Sequence, residues 1–374
     1  MRVLHIVENL DRGAVELWLL RMLRHAKSRQ VNLDWTFYCT LGEPGRIDEA
    51  VRDAGARVVR SPVPLAQKIA FVRSLRAELK RGRYDVLHAH HDLVSAVYLL
   101  AAVGLPIRER IVHVHNPDQA VLTPGPIKKA IFRAVFRRTC LLLADRIVGI
   151  SKHTLTTFVK GRIRSGLDLV HYYGIDATRS EEARPDRGAF RRALSLDEHA
   201  KVFLFAGRMV PEKNPLFVVE VLSELRKLDP KVVGVFAGSG SLDGAVRQRA
   251  ADLGIEPHCR YLGWRDDVPA IMACSDCFVL PHPEHPMEGF GIAVVEAQLA
   301  GLPMLLSMGI ADDPLLPTAR FQRLSLDSGA ATWARAANQL LNEPAPSRLA
   351  ARIALRQSPM DLDTALENLM ALHA

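Results

Sequence analysis

The residues best suited to chemistry in this chain are two cations and two carboxylates in its second half. Arg208 and Lys213 share one short loop, Gly207-Arg208-Met209-Val210-Pro211-Glu212-Lys213-Asn214. A guanidinium forks onto phosphate oxygens and an ammonium adds a compact charge, so together they can neutralise a diphosphate leaving group. Glu288 and Glu296 stand eight residues apart across the turn Glu288-Gly289-Phe290-Gly291. Free backbone amides at Gly289, Phe290 and Gly291 would open a helix beginning near Ile292, where the helix dipole favours an anion. Glu288 can then reach sugar hydroxyls beside the phosphate, while Glu296 can accept from a ribose diol. Read singly, these features have plain alternatives: a solvated basic loop, or an acid placed well at a helix start.

These groups need elements that bring them together. Short apolar, β-rich runs at 3–7, 34–39, 57–59, 86–89, 110–113 and 146–150 alternate with helical stretches. The alternation stops over the polar stretch 177–199, the expected linker, and resumes at 202–206, 232–237, 260–262, 277–280 and 303–306. Repeated β-α-β units require parallel sheets. The expected fold is therefore α/β, two doubly wound Rossmann-like domains facing a cleft, over 1–178 and 179–355, with a final helix over 356–374 crossing back to the first domain. In such sheets ligands bind beyond the carboxyl ends of the strands, which is where the 207–214 and 288–291 segments fall.

Two further loops follow strands of the second half. Gly238 and Gly240 flank Ser239, allowing close backbone approach to a ligand or simply a tight turn. Trp264, in Gly263-Trp264-Arg265-Asp266, can stack on a base or sit half-buried in a core.

In the first half, Gly13 follows the first strand and opens a helix, allowing a phosphate or sugar close to the backbone, or serving an ordinary β-α turn. Histidines gather after two strands: His88, His90 and His91, then His113 and His115. Imidazole binds metals, yet no acid or cysteine at ligand spacing supports a site. Cys274 and Cys277 form a lone C-x-x-C without the second pair that structural zinc requires.

The arrangement resembles the retaining glycosyltransferases of the GT-B fold, the group called family 4. Glu288…Glu296 matches that family's E-x7-E motif and Gly207-Arg208…Glu212-Lys213-Asn214 its G-R-x-x-x-E-K-N loop. The likeness runs over nearly the whole chain and is densest from 205 to 307. It implies that Arg208 and Lys213 bind the donor diphosphate, that Glu296 holds the ribose, and that Glu288, Phe290 and Gly291 hold the donor sugar. It also implies that His115 lies near the transferred sugar, with His90 and Asn116 on the acceptor side, and that neither metal nor cofactor is needed. The expected reaction is transfer, with retention, from a nucleotide diphosphate sugar (UDP-sugar before GDP-sugar) to a glycan or lipid-linked acceptor. The family usually has two adjacent glycines where this chain has Gly13 and Ala14.

Composition narrows the remaining choices. The 374 residues carry a net charge of +8, with 48% apolar and 24% charged residues. A basic chain favours anionic partners, but no nucleic-acid signature is present. The odd, scattered set of five cysteines suits a reducing compartment. With no signal-peptide core and no membrane span, a cytoplasmic location is expected. The helix expected at 126–143 sets Ile127, Ile131, Val135 and Phe136 against Lys128, Lys129, Arg133, Arg137 and Arg138. It is either an ordinary packed helix or one lying on the anionic inner face of a membrane. Two rival functions stay open: a nucleotide-sugar isomerase or hydrolase on the same plan, and a non-catalytic sugar-nucleotide binder. A dehydrogenase is disfavoured because no G-x-G-x-x-G opens either half.

Overall fold

The computed structural model describes residues 1–11, 13–116, 125–178 and 186–374. Arg12 of the first turn and residues 179–185 of the expected linker lie outside the described residues. The chain divides into two compact units, Met1–Gly174 with Leu362–Ala374, and Ile175–Asp361. The divisions thus fall at 174/175 and 361/362, against expected boundaries of 178/179 and 355/356.

In the first unit a seven-stranded sheet is built from β1 (Arg2–Val7), β2 (Asp34–Cys39), β3 (Arg57–Arg60), β4 (Val86–Ala89), β5 (Glu109–Val114), β6 (Arg146–Gly149) and β7 (Leu169–Val170), in the order 3-2-1-4-5-6-7. The second unit holds β8 (Lys201–Ala206), β9 (Val232–Ala237), β10 (Cys259–Gly263), β11 (Cys277–Leu280), β12 (Met304–Ser307) and β13 (Phe321–Leu324), in the order 10-9-8-11-12-13. Every pairing within the two sheets is parallel. Both are doubly wound, with the strand order reversing beside the first strand of each unit, between β1 and β4 and between β8 and β11. That reversal opens a crevice at the carboxyl edge. β7 and β13 were not anticipated: one has two residues, and the other is an edge strand of half-exposed residues without an apolar run.

Ser151 caps the helix Lys152–Val159 as its type suggests, accepting from the Thr154 amide in a capping box. The terminal helix Leu362–His373 belongs to the first unit, where Arg108 Nη2 donates to the His373 carbonyl. All five cysteines are buried thiols.

The helix Pro126–Leu143 departs from the ordinary pattern. Phe136, Leu141 and Leu143 pack against the first unit's core. Ile127, Ile131, Val135 and Leu142 instead form a stripe that is 74%, 59%, 54% and 70% exposed. A helix packed only on a sheet would turn that stripe inward.

One face of the first sheet carries an unusual core. His5 on β1 stands opposite His88 on β4 in the parallel register. His90, His113 and His115 continue the cluster, and His171 and His373 complete it; all seven are buried. Burial, the largest cause, lowers the pKa of each below 6.5, so all are neutral imidazoles at pH 7. The unfolded chain takes up protons below about 6.5 while the folded unit cannot, so stability is full above that pH and falls as the pH drops. Each histidine removes about 1.4 kcal/mol per pH unit well below its unfolded value. The first unit should therefore unfold cooperatively between about pH 6 and pH 5. Near-ultraviolet dichroism of buried Trp18 and Trp35 reads this, and signals unchanged at about pH 4.5 would refute it.

Candidate functional site

The second unit assembles its charged residues at the point of strand reversal. The loop after β8 carries Gly207 and Arg208, then a single 3-10 turn Pro211–Lys213. Asn214 follows in the left-handed region (φ 50°) and starts the helix Pro215–Leu228. That turn carries the Lys213 side chain to the loop after β11, where its Nζ pairs with Glu288 Oε2. His282 Nε2 lies 3.8 Å from the same oxygen. The Glu288 amide donates to the Gly309 carbonyl at 2.9 Å, fixing the acid's backbone.

Burial alone would raise the pKa of Glu288. Its interactions with Lys213, then with His282 and Arg208, outweigh that and hold the carboxyl below its ordinary range. Burial pushes His282 down more than Glu288 pulls it up, so the imidazole is neutral. Arg208 is exposed, and no described residue holds its guanidinium by a hydrogen bond or ion pair. It is therefore available to an anion.

Gly291 precedes the helix Ile292–Leu299 in the left-handed region (φ 84°), where a side chain would be strained. No side chain caps this helix, which leaves its amino end to a ligand or water. Gly289 and Phe290 are buried beneath the turn. Glu296 sits half-buried one turn into the helix. Buried Gln298 braces the other side, donating to the Val294 and Pro314 carbonyls and accepting from the Leu316 amide.

Gly238 and Gly240 have a nearer reason than a ligand. A Cβ on Gly238 would lie 1.9 Å from the Gly207 carbonyl oxygen, and one on Gly240 2.3 Å from that of Met209. These glycines let the loop after β9 lie directly on the loop bearing Arg208. The Met209 amide donates to the Ser239 carbonyl at 3.0 Å across the same contact. Trp264 is 43% exposed rather than a core residue, and Arg265 beside it is engaged by Asp267 at 2.6 Å.

In the first unit, Gly13 precedes the helix Ala14–Ser28, and a Cβ there would meet Glu16 Oε2 at 2.2 Å. Burial, with help from Glu8 and Asp11, pushes the Glu16 carboxyl up to about 7. Sequence reasoning passed over Glu16, whose only visible signal is its place in the first helical turn. It also passed over Asp92, which follows β4 in a left-handed conformation (φ 44°). Asp92 accepts from the His115 amide at 2.7 Å and from Asn116 through both its amide and its side chain at 3.2 Å.

His115 is buried with both ring nitrogens engaged, Nδ1 with the Tyr173 hydroxyl at 2.8 Å and Nε2 with His90 Nδ1 at 3.1 Å. His90 in turn meets His5 Nδ1 at 3.0 Å. Both rings thus stand behind the surface, and neither offers a free nitrogen to a sugar. Asn116 is the exposed member of the group.

The half-buried Lys213–Glu288 pair generates a direct expectation. Lys213→Met leaves a carboxylate without its main counter-charge, costing about 2 kcal/mol at neutral pH. In the variant, burial raises the Glu288 pKa. The deficit should shrink as pH falls through that raised value and vanish below the depressed value of the parent. Urea unfolding at several pH values checks this; a deficit independent of pH would show that the pair contributes no charge interaction.

Comparison with known proteins gives a consistent picture. A family model described as glycosyl transferases group 1 matches residues 186–355, and one described as glycosyltransferase family 4 matches residues 15–179. EpsF of Bacillus subtilis (strain 168) is 27% identical over 343 residues, spanning 89% of this chain and 86% of that protein. The UDP-Gal:alpha-D-GlcNAc-diphosphoundecaprenol alpha-1,3-galactosyltransferase of Escherichia coli is 27% identical over 277 residues, 70% of this chain and 67% of its own. Anabaena Alr3699/HepE, solved in complex with UDP, superposes with a TM-score of 0.78 at 19% identity, covering 99% of both chains. Each half of the sequence thus matches its own half of one known two-domain plan, in the order that plan requires, and the chain belongs to the family 4-type GT-B glycosyltransferases.

Proposed function

We propose that the chain transfers a sugar, with retention, from a UDP-sugar to a glycan or lipid-linked acceptor in cell-surface polysaccharide synthesis. The observation that carries this is the meeting of Lys213 with Glu288 at the strand reversal of the second unit, beside the uncapped helix at Gly291 and under the charge of Arg208. A diphosphate entering there takes over Lys213 and the free guanidinium of Arg208, and Glu288 is released to sugar hydroxyls. Glu296 holds the ribose. Two cations and the helix amides stabilise the charge that grows on the leaving diphosphate. Its oxygen takes the acceptor proton on the face it leaves, so no protein nucleophile, metal or cofactor is required.

Support for uridine comes from the complex of Anabaena HepE with UDP and from the UDP-galactose donor in the name of the Escherichia coli relative. The latter name also supports a lipid-linked acceptor. On the acceptor side, Asn116 meets substrate, while His115, His90 and Asp92 position it.

Calorimetry with UDP, GDP, ADP and CMP tests the donor site. UDP should bind, and Arg208→Ala/Lys213→Ala should weaken it at least about 100-fold, since each charge-assisted contact is worth roughly 1.5–3 kcal/mol. Equal binding by parent and variant would remove the leaving-group site, and an inverted anomeric proton coupling in the product would remove retention.

Membrane contact is proposed for the exposed stripe Ile127, Ile131, Val135 and Leu142, with Lys128 and Arg138 also exposed on that helix. The described helices include none long and apolar enough to cross a membrane. The protein should sediment with vesicles containing phosphatidylglycerol and not with pure phosphatidylcholine, and Ile127→Glu/Ile131→Glu should abolish this. Equal recovery with both lipids, or an unaffected variant, would count against the membrane role.

A further inference from the structure

The histidine core of the first unit does more than fill space. Among the described residues, His5, His88 and His373 each offer one ring nitrogen, all within 4.8 Å of one another. His88 Nδ1 and His373 Nε2 face each other at 2.9 Å. His5 Nε2 is buried with no hydrogen-bond partner. For a tetrahedral ion with metal–nitrogen bonds of about 2.0–2.1 Å, ligand nitrogens stand about 3.3 Å apart. The side chains therefore need only small movements to close on one centre.

For His5 and His88 the outward nitrogens are already held. His5 Nδ1 is bonded to His90 Nε2 at 3.0 Å, and His88 Nε2 to His113 Nδ1 at 3.1 Å. Metal-binding imidazoles typically donate their second N–H to a partner of this kind, which turns the other lone pair inward. One polarity satisfies the whole series: His5 donates to His90, His90 to His115, and His115 to the Tyr173 oxygen. The same polarity lets His88 donate to His113 and leaves lone pairs on His5 Nε2 and His88 Nδ1.

We propose that His5, His88 and His373 bind one transition-metal ion, zinc in the first instance, as a structural centre in the interior of the first unit. Three neutral imidazoles and no thiolate suit zinc. The fourth position falls to water or hydroxide, and hydroxide would reduce the buried charge. The ion takes no part in sugar transfer. It ties the last turn of the chain, through His373, to β1 and β4, while the Arg108 contact to the His373 carbonyl ties the same turn to the start of β5. The site is complete only when the terminal helix is docked, so the ion enters before that helix closes. The second close triplet, His88, His90 and His113, is less suited. Both nitrogens of His90 and the Nδ1 of His113 are committed to other histidines.

The full-length protein, expressed in zinc-supplemented cells and washed with chelator, tests this by elemental mass spectrometry. One zinc per chain is expected, with His5→Gln and His373→Gln each reducing it at least tenfold and exposed His199→Gln leaving it unchanged. With free Zn2+ at about 100 times its dissociation constant, the unfolding midpoint should rise by ~5 °C. If the variants fail to fold, X-ray absorption of the zinc-loaded parent decides: a shell of three imidazole nitrogens supports the centre, and sulfur or carboxylate ligands overturn it. No zinc in the parent, or zinc retained by both folded variants, also overturns it.

Discussion

The ion pair between Lys213 and Glu288 is the contact on which the candidate site depends. It ties the loop after β8 to the loop after β11, the two strands flanking the reversal in the second sheet. Desolvation works against it: burial pushes the pKa of this carboxyl up, and the lysine beside it more than offsets that push. The pair therefore keeps a carboxylate charged at a half-buried place in the fold. Because both partners are suited to sugar and phosphate, a ligand can exchange for the contact without leaving a buried charge unpaired.

The two units use polar residues in opposite ways. In the second, charge is concentrated at one sheet edge and Arg208 is left open to solvent. In the first, polar rings are drawn into the core and kept neutral, most of them bonded to a neighbouring ring. Such a network fixes ring orientations, since reversing one tautomer must reverse its neighbours. Tyr173 terminates one series at His115, and Asp92 fixes the backbone of the same residue. The exposed Asn116 is thus held by groups that are themselves inaccessible, a rigid support for an adaptable substrate contact.

Legibility in the sequence followed the range of each interaction. The alternation of strands and helices was readable because each β-α unit is local. The 207–214 loop and the 288–296 segment were readable because each keeps its residues within one turn or one helix. That both segments follow strands of one sheet was readable as well, but the direct pairing of Lys213 with Glu288 was not. Of the histidine core only the groups after β4 and β5 were readable, since it also joins His88 to His373 near the end of the chain and to His113 diagonally across a parallel register. Spacing cannot report such neighbours. Gly238 and Gly240 were legible as turn residues, but not as the floor on which the Arg208 loop rests.

The helix Pro126–Leu143 shows why composition alone left two readings open. Its residues would serve equally on a sheet or at a membrane, because both require an apolar face and a basic one. What separates them is which face the fold consumes. The core takes Phe136, Leu141, Leu143 and Cys140 and leaves Ile127, Ile131, Val135 and Leu142 outside. Arg133 and Arg137 are drawn partly inward. Leaving four large aliphatic side chains in water while half-burying two arginines costs free energy on both counts. A surface that covers the aliphatic stripe recovers the first cost, and anionic headgroups attract the helix's basic residues.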